Sequence, residues 1–138
     1  MASEEASVFL ASGTRTGKLA TVRRDGRPHV TPIWFVLDDD DIVFMTHESS
    51  GKAHAVRRDN RVAMVVDEEV APYAFVLVEG TVTVSEDLED LRHWGTVIGG
   101  RYMGADRAEE YGKRNGVPGE LLVRIKPTRI TAMSGIAE

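Results

Sequence analysis

The sequence contains no cysteine, and this absence removes several kinds of chemistry. Without cysteine there is no disulfide, no thiol nucleophile and no cysteine-ligated zinc or iron–sulfur site. No stretch approaches the roughly 18 to 20 consecutive apolar residues that a membrane-spanning helix needs. The first residues, MASEEASVFLASG, are acidic, and their apolar run is too short for a secretory signal peptide. We therefore expect a cytoplasmic protein that does not span a membrane.

Positive charge is also in short supply. The chain has 17 lysine and arginine residues against 22 aspartate and glutamate residues, a net charge of -5. A protein that coats nucleic acid needs a basic surface, so we expect no nucleic-acid partner. Any site for an anion must be local. With 138 residues, the chain is most simply one domain with one core, and we expect residues 1–138 to form it.

Several familiar motifs are missing as well. The segment GTRTGKL has only three residues between its glycines, and Leu19 stands where a phosphate-binding P-loop requires Ser or Thr. There is no dinucleotide-binding fingerprint, no serine nucleophile elbow and no H-E-x-x-H zinc motif. The four histidines lack the spacing of a zinc site; they are His29, His47, His54 and His93. We expect no metal centre.

The pattern of the chain predicts strands joined mainly by hairpins. After a short amphipathic helix over residues 3 to 12, two β-rich runs flank Asp25-Gly26, a strong hairpin signal. DIVFMT, RVAMVVDE and APYAFVLVEGTVTVSE predict three further strands, the last with a bulge at Gly80. ELLVRIKPTRITAMSG predicts two strands with a break at Pro127. Closely spaced strands of this kind favour a small α+β barrel over a parallel sheet.

A change of period after the fifth strand predicts helices. Apolar residues three or four apart form one helical face; they are Leu88, Leu91, Trp94, Val97 and Ile98. Ser85 precedes them as the candidate N-cap. The segment ADRAEEYGKRNG predicts a weaker helix that ends near Gly116.

The segment THESSGKAHAVRRDNRV, residues 46 to 62, contains an anomaly at Lys52. The segment predicts the end of a strand, then Ser49-Ser50-Gly51, then a short helix with Lys52 in its first turn. The helix dipole favours acidic side chains there, so a lysine needs a reason. A serine hydroxyl, free backbone N–H groups, a glycine and a lysine together form a credible phosphate-binding site.

The same segment is locally basic, with Lys52, Arg57, Arg58 and Arg61 close together and Asp59 as the one acid. An ordinary alternative exists, because serine is a common N-cap and basic residues suit the end of a helix. That alternative leaves only Lys52 unexplained.

A proline in the second strand is the other unusual feature. Pro32, in HVTPIWF, cannot donate to a sheet ladder, so it marks an edge or a bulge where neighbouring groups can face a ligand. Thr31 is then a candidate for a hydrogen bond to that ligand, and Trp34 is a candidate aromatic wall. The alternative is a plain edge proline.

These segments carry a resemblance to a known family. In order, GKLATVRRDGRPHVTPIWF, IVFMTHESSGKAHAVRRDNRVAM and YAFVLVEGTVTV resemble the flavin and deazaflavin split-barrel proteins related to pyridoxamine 5′-phosphate oxidase. The resemblance covers nearly the whole chain. The later segment RYMGADRAEEYGKRNGVPGELLVRIKPTRI is similar to the branch that uses the deazaflavin coenzyme F420. The chain lacks the C-terminal substrate-binding extension of pyridoxamine 5′-phosphate oxidase itself, so we do not expect vitamin B6 oxidation.

The resemblance implies a homodimer of six-stranded split barrels with the cofactor at the subunit interface. The family's phosphate-binding segment matches residues 46 to 52, which include Thr46, His47, Ser49, Ser50, Gly51 and Lys52. Its ring-contacting segment matches residues 29 to 34. In family members the second subunit covers the ring, and Tyr73 and Trp94 are our candidates for that cover, although each also fits a core position.

The activity that the resemblance implies is an F420-dependent reduction. The reduced cofactor gives hydride to an electrophilic small molecule such as an enone or a quinone, while the protein binds, orients and excludes water. His47 is a candidate proton donor, and Arg57, Arg58 or Arg61 could line a groove for the anionic tail of F420. One alternative is an FMN-binding oxidoreductase of the same fold, since FMN also carries a ribityl phosphate. Another is a non-catalytic protein that carries a cofactor or binds haem.

Overall fold

The computed structural model describes residues 1–138. Its four α-helices are α1 (Ser3–Ala11), α2 (Gly51–Arg58), α3 (Leu88–Met103) and α4 (Ala108–Asn115), with a 3-10 turn at Ala105–Arg107. Its seven strands are β1 (Gly17–Val22), β2 (Pro28–Ile33), β3 (Phe35–Asp38), β4 (Asp41–His47), β5 (Arg61–Glu68), β6 (Ala74–Ser85) and β7 (Glu120–Met133). None of the helices is both long and apolar enough to cross a membrane.

All seven strands belong to one antiparallel sheet, in the order β2-β1-β5-β6-β7-β4-β3. The two edge strands, β2 and β3, are consecutive in the chain and are separated only by Trp34. One bent strand therefore supplies both edges of the sheet, so the sheet must curl round into a barrel. This confirms the predicted α+β split barrel. Counted as one bent strand, β2 and β3 leave six strands round the barrel.

The predicted second strand is divided at Trp34, and the reason is the bend. β2 pairs only with β1, whereas β3 pairs only with β4. A single straight strand cannot lie at both edges, so the ladder is interrupted where the chain turns from one edge to the other. Pro32 lies on β2, where its missing N–H is harmless at an edge, as the sequence predicted.

The inside of the barrel is a continuous apolar core. It comprises 18 buried residues, and every strand as well as α1 and α2 contributes to them. Ala6 and Leu10 enter the core from α1, and Ala53 and Val56 enter it from α2. The two short helices are therefore held in place by the apolar face that each buries, and the core fixes the position of the α2 N-terminus.

The last strand is continuous, so the predicted break at Pro127 is wrong. β7 runs from Glu120 to Met133, and Gly80 of β6 pairs with Pro127 while Glu79 pairs with Arg129. Thr128 is thus the extra residue of a bulge, which confirms the irregularity predicted at Gly80. The Thr128 hydroxyl donates to the Glu79 carbonyl at 3.2 Å. The bulge accommodates the proline, which has no N–H to give.

The N-cap predicted for α3 is also wrong. Asp87, not Ser85, caps this helix, and its side chain accepts from the amides of Glu89 and Asp90 at 2.9 and 3.1 Å. Ser85 is the last residue of β6. Its hydroxyl accepts from the Asp87 amide instead, at 3.2 Å.

Helix α3 packs on the outer face of one half of the sheet. Leu91 and Ile98 of α3 join Val43 and Leu122 of the sheet in a second apolar cluster. Leu88 and Val97, which the apolar pattern placed on the same face, are 50% and 39% exposed. The buried face is therefore narrower than the sequence predicted.

Helix α4 folds back closely against α3. A side chain at Gly99 would overlap the Cβ of Tyr111, and one at Gly112 would overlap the hydroxyl of Thr96. The two helices approach each other through these glycines, and the resulting hairpin lies beside the bend at Trp34.

We expect Gly80→Ala to destabilise the fold. A Cβ at position 80 would overlap the main-chain oxygen of Lys126, and a clash with backbone in a packed region costs about 1–3 kcal/mol. Urea denaturation of the purified variants measures this. Thr83→Ala, at an exposed position of the same strand, is the control and should change the free energy of unfolding by less than about 0.5 kcal/mol. Equal stability of the two variants would contradict the bulge geometry.

Candidate functional site

A cavity of about 290 Å³ opens beside the bend in the barrel wall. Pairing between β3 and β4 stops at Phe35 and Phe44, so β2 and the end of β4 diverge beyond that pair. The start of α2 and the α3–α4 hairpin close the space between them. The lining residues are Pro32, Ile33, Trp34, Met45, Thr46, Lys52, Gly95, Ile98 and Asn115.

The N-terminus of α2 is anchored by two hydroxyls. Ser50 is the N-cap, and its Oγ accepts from the Ala53 amide at 3.1 Å. Thr46, almost fully buried, lies 2.8 Å from the same oxygen through its own Oγ1. Because Ser50 is bonded on both sides, its hydroxyl holds the helix start against β4 and is already occupied.

Two amides at this helix start remain free. Gly51 and Lys52 lie in the first turn of α2, where N–H groups have no acceptor within the helix. Free N–H groups at a helix N-terminus carry partial positive charge and suit an anion. They come from a helix of eight residues whose first turn contains no acidic side chain.

Lys52 has no carboxylate partner in the chain, although nine ion pairs form elsewhere. Its partly buried side chain lines the cavity. A lysine that is repelled by its own helix dipole and satisfied by no neighbour fits an anion bound between the two. The residues present therefore fit a phosphate group.

Trp34 forms the aromatic wall of the same cavity. Its indole stacks on Tyr102 with the ring centroids 5.0 Å apart and the planes 4° apart, and Tyr111 lies 6.0 Å away at a tilt of 56°. Trp34 itself is 39% exposed. The structure thus brings Trp34 and Pro32 from the bend together with Thr46 and Lys52 from the α2 region.

Other residues of the α2 segment point away from the cavity. His47 and Ser49 are exposed, and the Nδ1 of His47 lies 2.7 Å from the Ser49 Oγ and accepts from the Ser49 amide at 3.1 Å. An Nδ1 that accepts an N–H leaves the ring proton of the neutral imidazole on Nε2. That nitrogen faces Gly119, so His47 is not placed as a proton donor for the cavity within one subunit.

Thr31, Tyr73 and Trp94 do not line the cavity within one subunit. Thr31 lies on the opposite face of β2 from Pro32, and its buried Oγ1 has no hydrogen-bond partner. Tyr73 is 45% exposed at the entrance to β6. Trp94 packs against the α3 apolar cluster of its own chain, with the Arg124 guanidinium 5.8 Å from its ring, which is a core arrangement.

Arg57 and Arg58 lie at the other end of α2 from Lys52. Arg58 donates to the main-chain oxygen of Val22 at 3.0 Å, and Arg57 is 3.7 Å from Glu86. With Arg23 and Arg24 of the β1–β2 turn they line a basic groove. An adjoining depression shares Arg23, Arg24 and Arg58 and extends to Gly51 at the start of α2.

Sequence reasoning missed the residues that the α3–α4 hairpin brings to the cavity. Gly95 and Asn115 carry no pattern that points to a ligand, because Asn115 reads as an ordinary helix end before a glycine. Tyr102 was within reach, since it follows Trp94 and Ile98 at intervals of four on the same helical face.

The family model described as pyridoxamine 5′-phosphate oxidase matches residues 3–134. The chain belongs to this family. The match covers almost the entire sequence and includes every residue that lines the cavity. It confirms the resemblance to the split-barrel proteins.

Solved structures of similar proteins agree with the family. A conserved hypothetical protein from Mycobacterium tuberculosis is 29% identical, with a TM-score of 0.86 over 98% of this chain and 86% of that one. A protein named F420 reductase is 26% identical, with a TM-score of 0.71 over 89% of this chain and 94% of that one. An FAD binding protein from Mycobacterium smegmatis, 24% identical with a TM-score of 0.66 over 96% of each chain, shows the shared fold alone. The fold is thus that of a flavin-binding oxidoreductase of the pyridoxamine 5′-phosphate oxidase type.

We expect Ser50→Ala to loosen the start of α2. The variant loses the N-cap and the contact with Thr46, and removal of a serine cap costs about 1 kcal/mol. Thermal and urea denaturation measure the loss. Ser49→Ala is the matched control because its exposed hydroxyl contacts only His47, and its effect should stay below about 0.5 kcal/mol. If Ser49→Ala destabilised the protein more, Ser50 would not be the anchor.

Proposed function

We propose that this chain is a coenzyme F420-dependent oxidoreductase that reduces an electrophilic small molecule such as an enone or a quinone. One observation carries the proposal: an unpaired lysine at a helix start meets an aromatic wall in a single cavity. The 26% identity to an F420 reductase over most of both chains supports it. When bound, the deazaflavin supplies the hydride.

The residues of the chain bind and orient the cofactor. Lys52 holds the phosphate at the start of α2 through its charged side chain and its amide. The Gly51 amide adds a donor on the side of the adjoining depression. Trp34 borders the ring system. Apolar side chains of Ile33, Met45 and Ile98 in the lining keep water from the space where hydride transfer takes place.

The proton that completes the reduction comes from solvent in this proposal. No aspartate, glutamate or histidine lines the cavity of one subunit, so no side chain there is an obvious general acid. The same lining offers haem no imidazole ligand, and nothing in the cavity favours that alternative.

The basic groove favours F420 over FMN. Arg23, Arg24, Arg57 and Arg58 line the groove, and the adjoining depression reaches Gly51. An anionic tail beyond the phosphate would meet four arginines there and one acid, Asp59, whereas FMN ends at its phosphate. FMN remains the second candidate, because the family takes its name from pyridoxamine 5′-phosphate oxidase and the phosphate-binding residues suit both cofactors equally.

We also propose that the protein acts as a homodimer with the cofactor at the subunit interface. The cavity of one chain, about 290 Å³, is at the lower limit of the roughly 300–1,000 Å³ of small-molecule sites, so a flavin-sized ligand extends beyond it. A second subunit would complete the enclosure. Tyr73, exposed and distant in sequence from the cavity lining, is then a candidate for the partner's contribution, and His47 and Thr31 stay candidates for contacts in the dimer.

The outer face of the sheet offers a surface for that second subunit. Helix α3 covers the β3-β4-β7 half, but the outward side chains of the other half stay accessible to solvent. The register of the strands places apolar residues side by side across this half; they are Ala20, Val30, Ala63, Val65, Phe75, Leu77 and Met133. Lys18, Asp67, Glu79 and Thr131 interrupt this apolar row on the same face. A sheet face on which exposed apolar side chains cluster in this way is typical of an interface between proteins.

Replacement of Lys52 by methionine tests the cofactor site. The variant keeps the length of the side chain but removes its charge, and loss of hydrogen bonds to a charged group should weaken binding by about ten- to a hundredfold. Fluorescence titration with oxidised F420 and with FMN measures both affinities. We expect the wild-type protein to bind F420 more tightly than FMN.

Lys126→Met is the matched control, because Lys126 is exposed, forms no ion pair and lies on the far part of β7. It should bind both cofactors like the wild type. Tighter binding of FMN than of F420 would move the protein to the second candidate function. Normal binding of both cofactors by Lys52→Met would remove the basis of the proposal.

Leu77→Glu tests the dimer. A carboxylate at the centre of the apolar row would lose its hydration in the interface, which is costly for an unpaired charge, so we expect a monomer with weakened cofactor binding. Light scattering coupled to gel filtration measures the mass. Thr83→Glu places the same charge at an exposed site on the same strand and should remain dimeric. A dimeric Leu77→Glu would show that this face is not the interface.

A further inference from the structure

Two residues at the end of α3 form hydrogen bonds with the main chain at the bend in the barrel wall. Phe35, the residue that follows Trp34, donates its amide N–H to the hydroxyl oxygen of Tyr102 at 3.2 Å. Its carbonyl accepts from Nη1 of Arg101 at 2.6 Å. Two adjacent helix residues thus bind the main chain directly beside Trp34, where the regular sheet pairing is interrupted.

The Tyr102 side chain is held both at its hydroxyl and at its ring. Its hydroxyl donates to the main-chain oxygen of Arg15 at 2.9 Å, in addition to accepting from Phe35. The Arg101 guanidinium lies 5.1 Å from the centre of the Tyr102 ring. Partial burial raises the pKa of Tyr102, so the hydroxyl remains protonated and can donate at neutral pH.

The indole of Trp34 depends on this ring for its orientation. Parallel stacking on Tyr102, with centroids 5.0 Å apart, is the closest aromatic contact that Trp34 makes. The indole N–H has no acceptor in the chain, and Trp34 lies between two strands rather than within either. Tyr102 lies flat against the indole, whereas Tyr111 meets it at a tilt of 56°, so the Tyr102 stack is the contact that defines the plane of the indole.

We infer that Tyr102 is a positioning residue, which sets the plane of the Trp34 indole against which a planar heteroaromatic ligand packs in the Lys52 cavity. The inference rests on the proposed function, because it assumes that such a ligand binds in this cavity. Tyr102 need not touch the ligand. It acts through Trp34, and the α3–α4 hairpin thereby takes part in ligand recognition.

Tryptophan fluorescence tests the position of the ring without any ligand. The chain has two tryptophans, so a Trp94→Phe parent reports on Trp34 alone. In this parent, Tyr102→Leu removes the stack, and we expect the Trp34 emission to shift to the red and acrylamide quenching to rise by about twofold. Tyr102→Phe keeps the ring and loses only the hydroxyl's bonds to Phe35 and Arg15, so both measurements should stay closer to the parent than to Tyr102→Leu. Tyr102→Met, with an unbranched adaptable side chain, replaces Tyr102→Leu if the leucine variant does not fold.

FMN titration of the same proteins tests the consequence for binding. Loss of an aromatic pair and of a fixed ring plane should weaken FMN binding by about tenfold in Tyr102→Leu, with recovery in Tyr102→Phe. Arg101→Lys controls for general loosening of the bend, because it weakens the hydrogen bond to the Phe35 carbonyl but keeps the Tyr102 ring. It should lower the melting temperature, while the Trp34 emission and the FMN affinity stay near the parent values.

The outcomes separate this inference from the proposed function. Parent-like Trp34 emission and quenching in Tyr102→Leu would overturn the positioning role, and so would changed emission with undiminished FMN affinity. If FMN and F420 fail to bind even the wild-type protein, the proposed function fails. In that case the positioning role in ligand recognition falls with it, while the emission of the unliganded variants still shows whether Tyr102 holds the indole.

Discussion

The bend at Trp34 is the constraint on which the rest of the structure depends. Because β2 and β3 lie at opposite edges of the sheet yet adjoin in the chain, the bend between them closes the barrel. A bend of this kind leaves main-chain groups without sheet partners, and buried groups of that kind need other partners. Arg101 and Tyr102 supply these partners at Phe35. The long α3 helix therefore completes the hydrogen bonding of the barrel wall at the bend.

The same bend also explains where the cavity lies. Where β2 and β4 diverge, the wall opens, and the α2 N-terminus and the α3–α4 hairpin reach the opening from two sides. A positively polarised helix start with an unpaired lysine thus meets a stacked tryptophan. Neither feature alone is specific, since helix starts and surface tryptophans are common. Their meeting in one small space is what suits a ligand that has a phosphate at one end and a planar ring at the other.

The sequence was informative wherever the chemistry was local and less so where distant segments meet. Lys52 could be singled out because a lysine opposes the helix dipole, an effect that acts within one helical turn. Pro32 and Gly80 could be singled out because the backbone properties of proline and glycine act at a single position. Pro127 misled for the same reason: its lack of an N–H is real, but the bulge opposite Gly80, 47 positions earlier, absorbs it. Ser85 does not cap α3 because β6 extends to that residue.

Asn115 and Gly95 could not be predicted from the sequence, since only the close packing of α4 on α3 brings them to the cavity. Tyr102 lies on the helical face that the apolar periodicity predicted, but the predicted face ended at Ile98, one turn before Tyr102.

The central claim is that Lys52 and the adjoining amides bind the cofactor's phosphate, and a thermodynamic cycle tests it most directly. The affinities of riboflavin, which lacks the phosphate, and of FMN are measured by fluorescence titration for the wild type and for Lys52→Met. The two ligands share the ring and the ribityl chain, so the ratio of their affinities isolates the contribution of the phosphate to binding. We predict that the wild type binds FMN at least about tenfold more tightly than riboflavin, and that most of this advantage disappears in Lys52→Met while riboflavin binding is unchanged. An FMN advantage of the same size in both proteins would contradict the account.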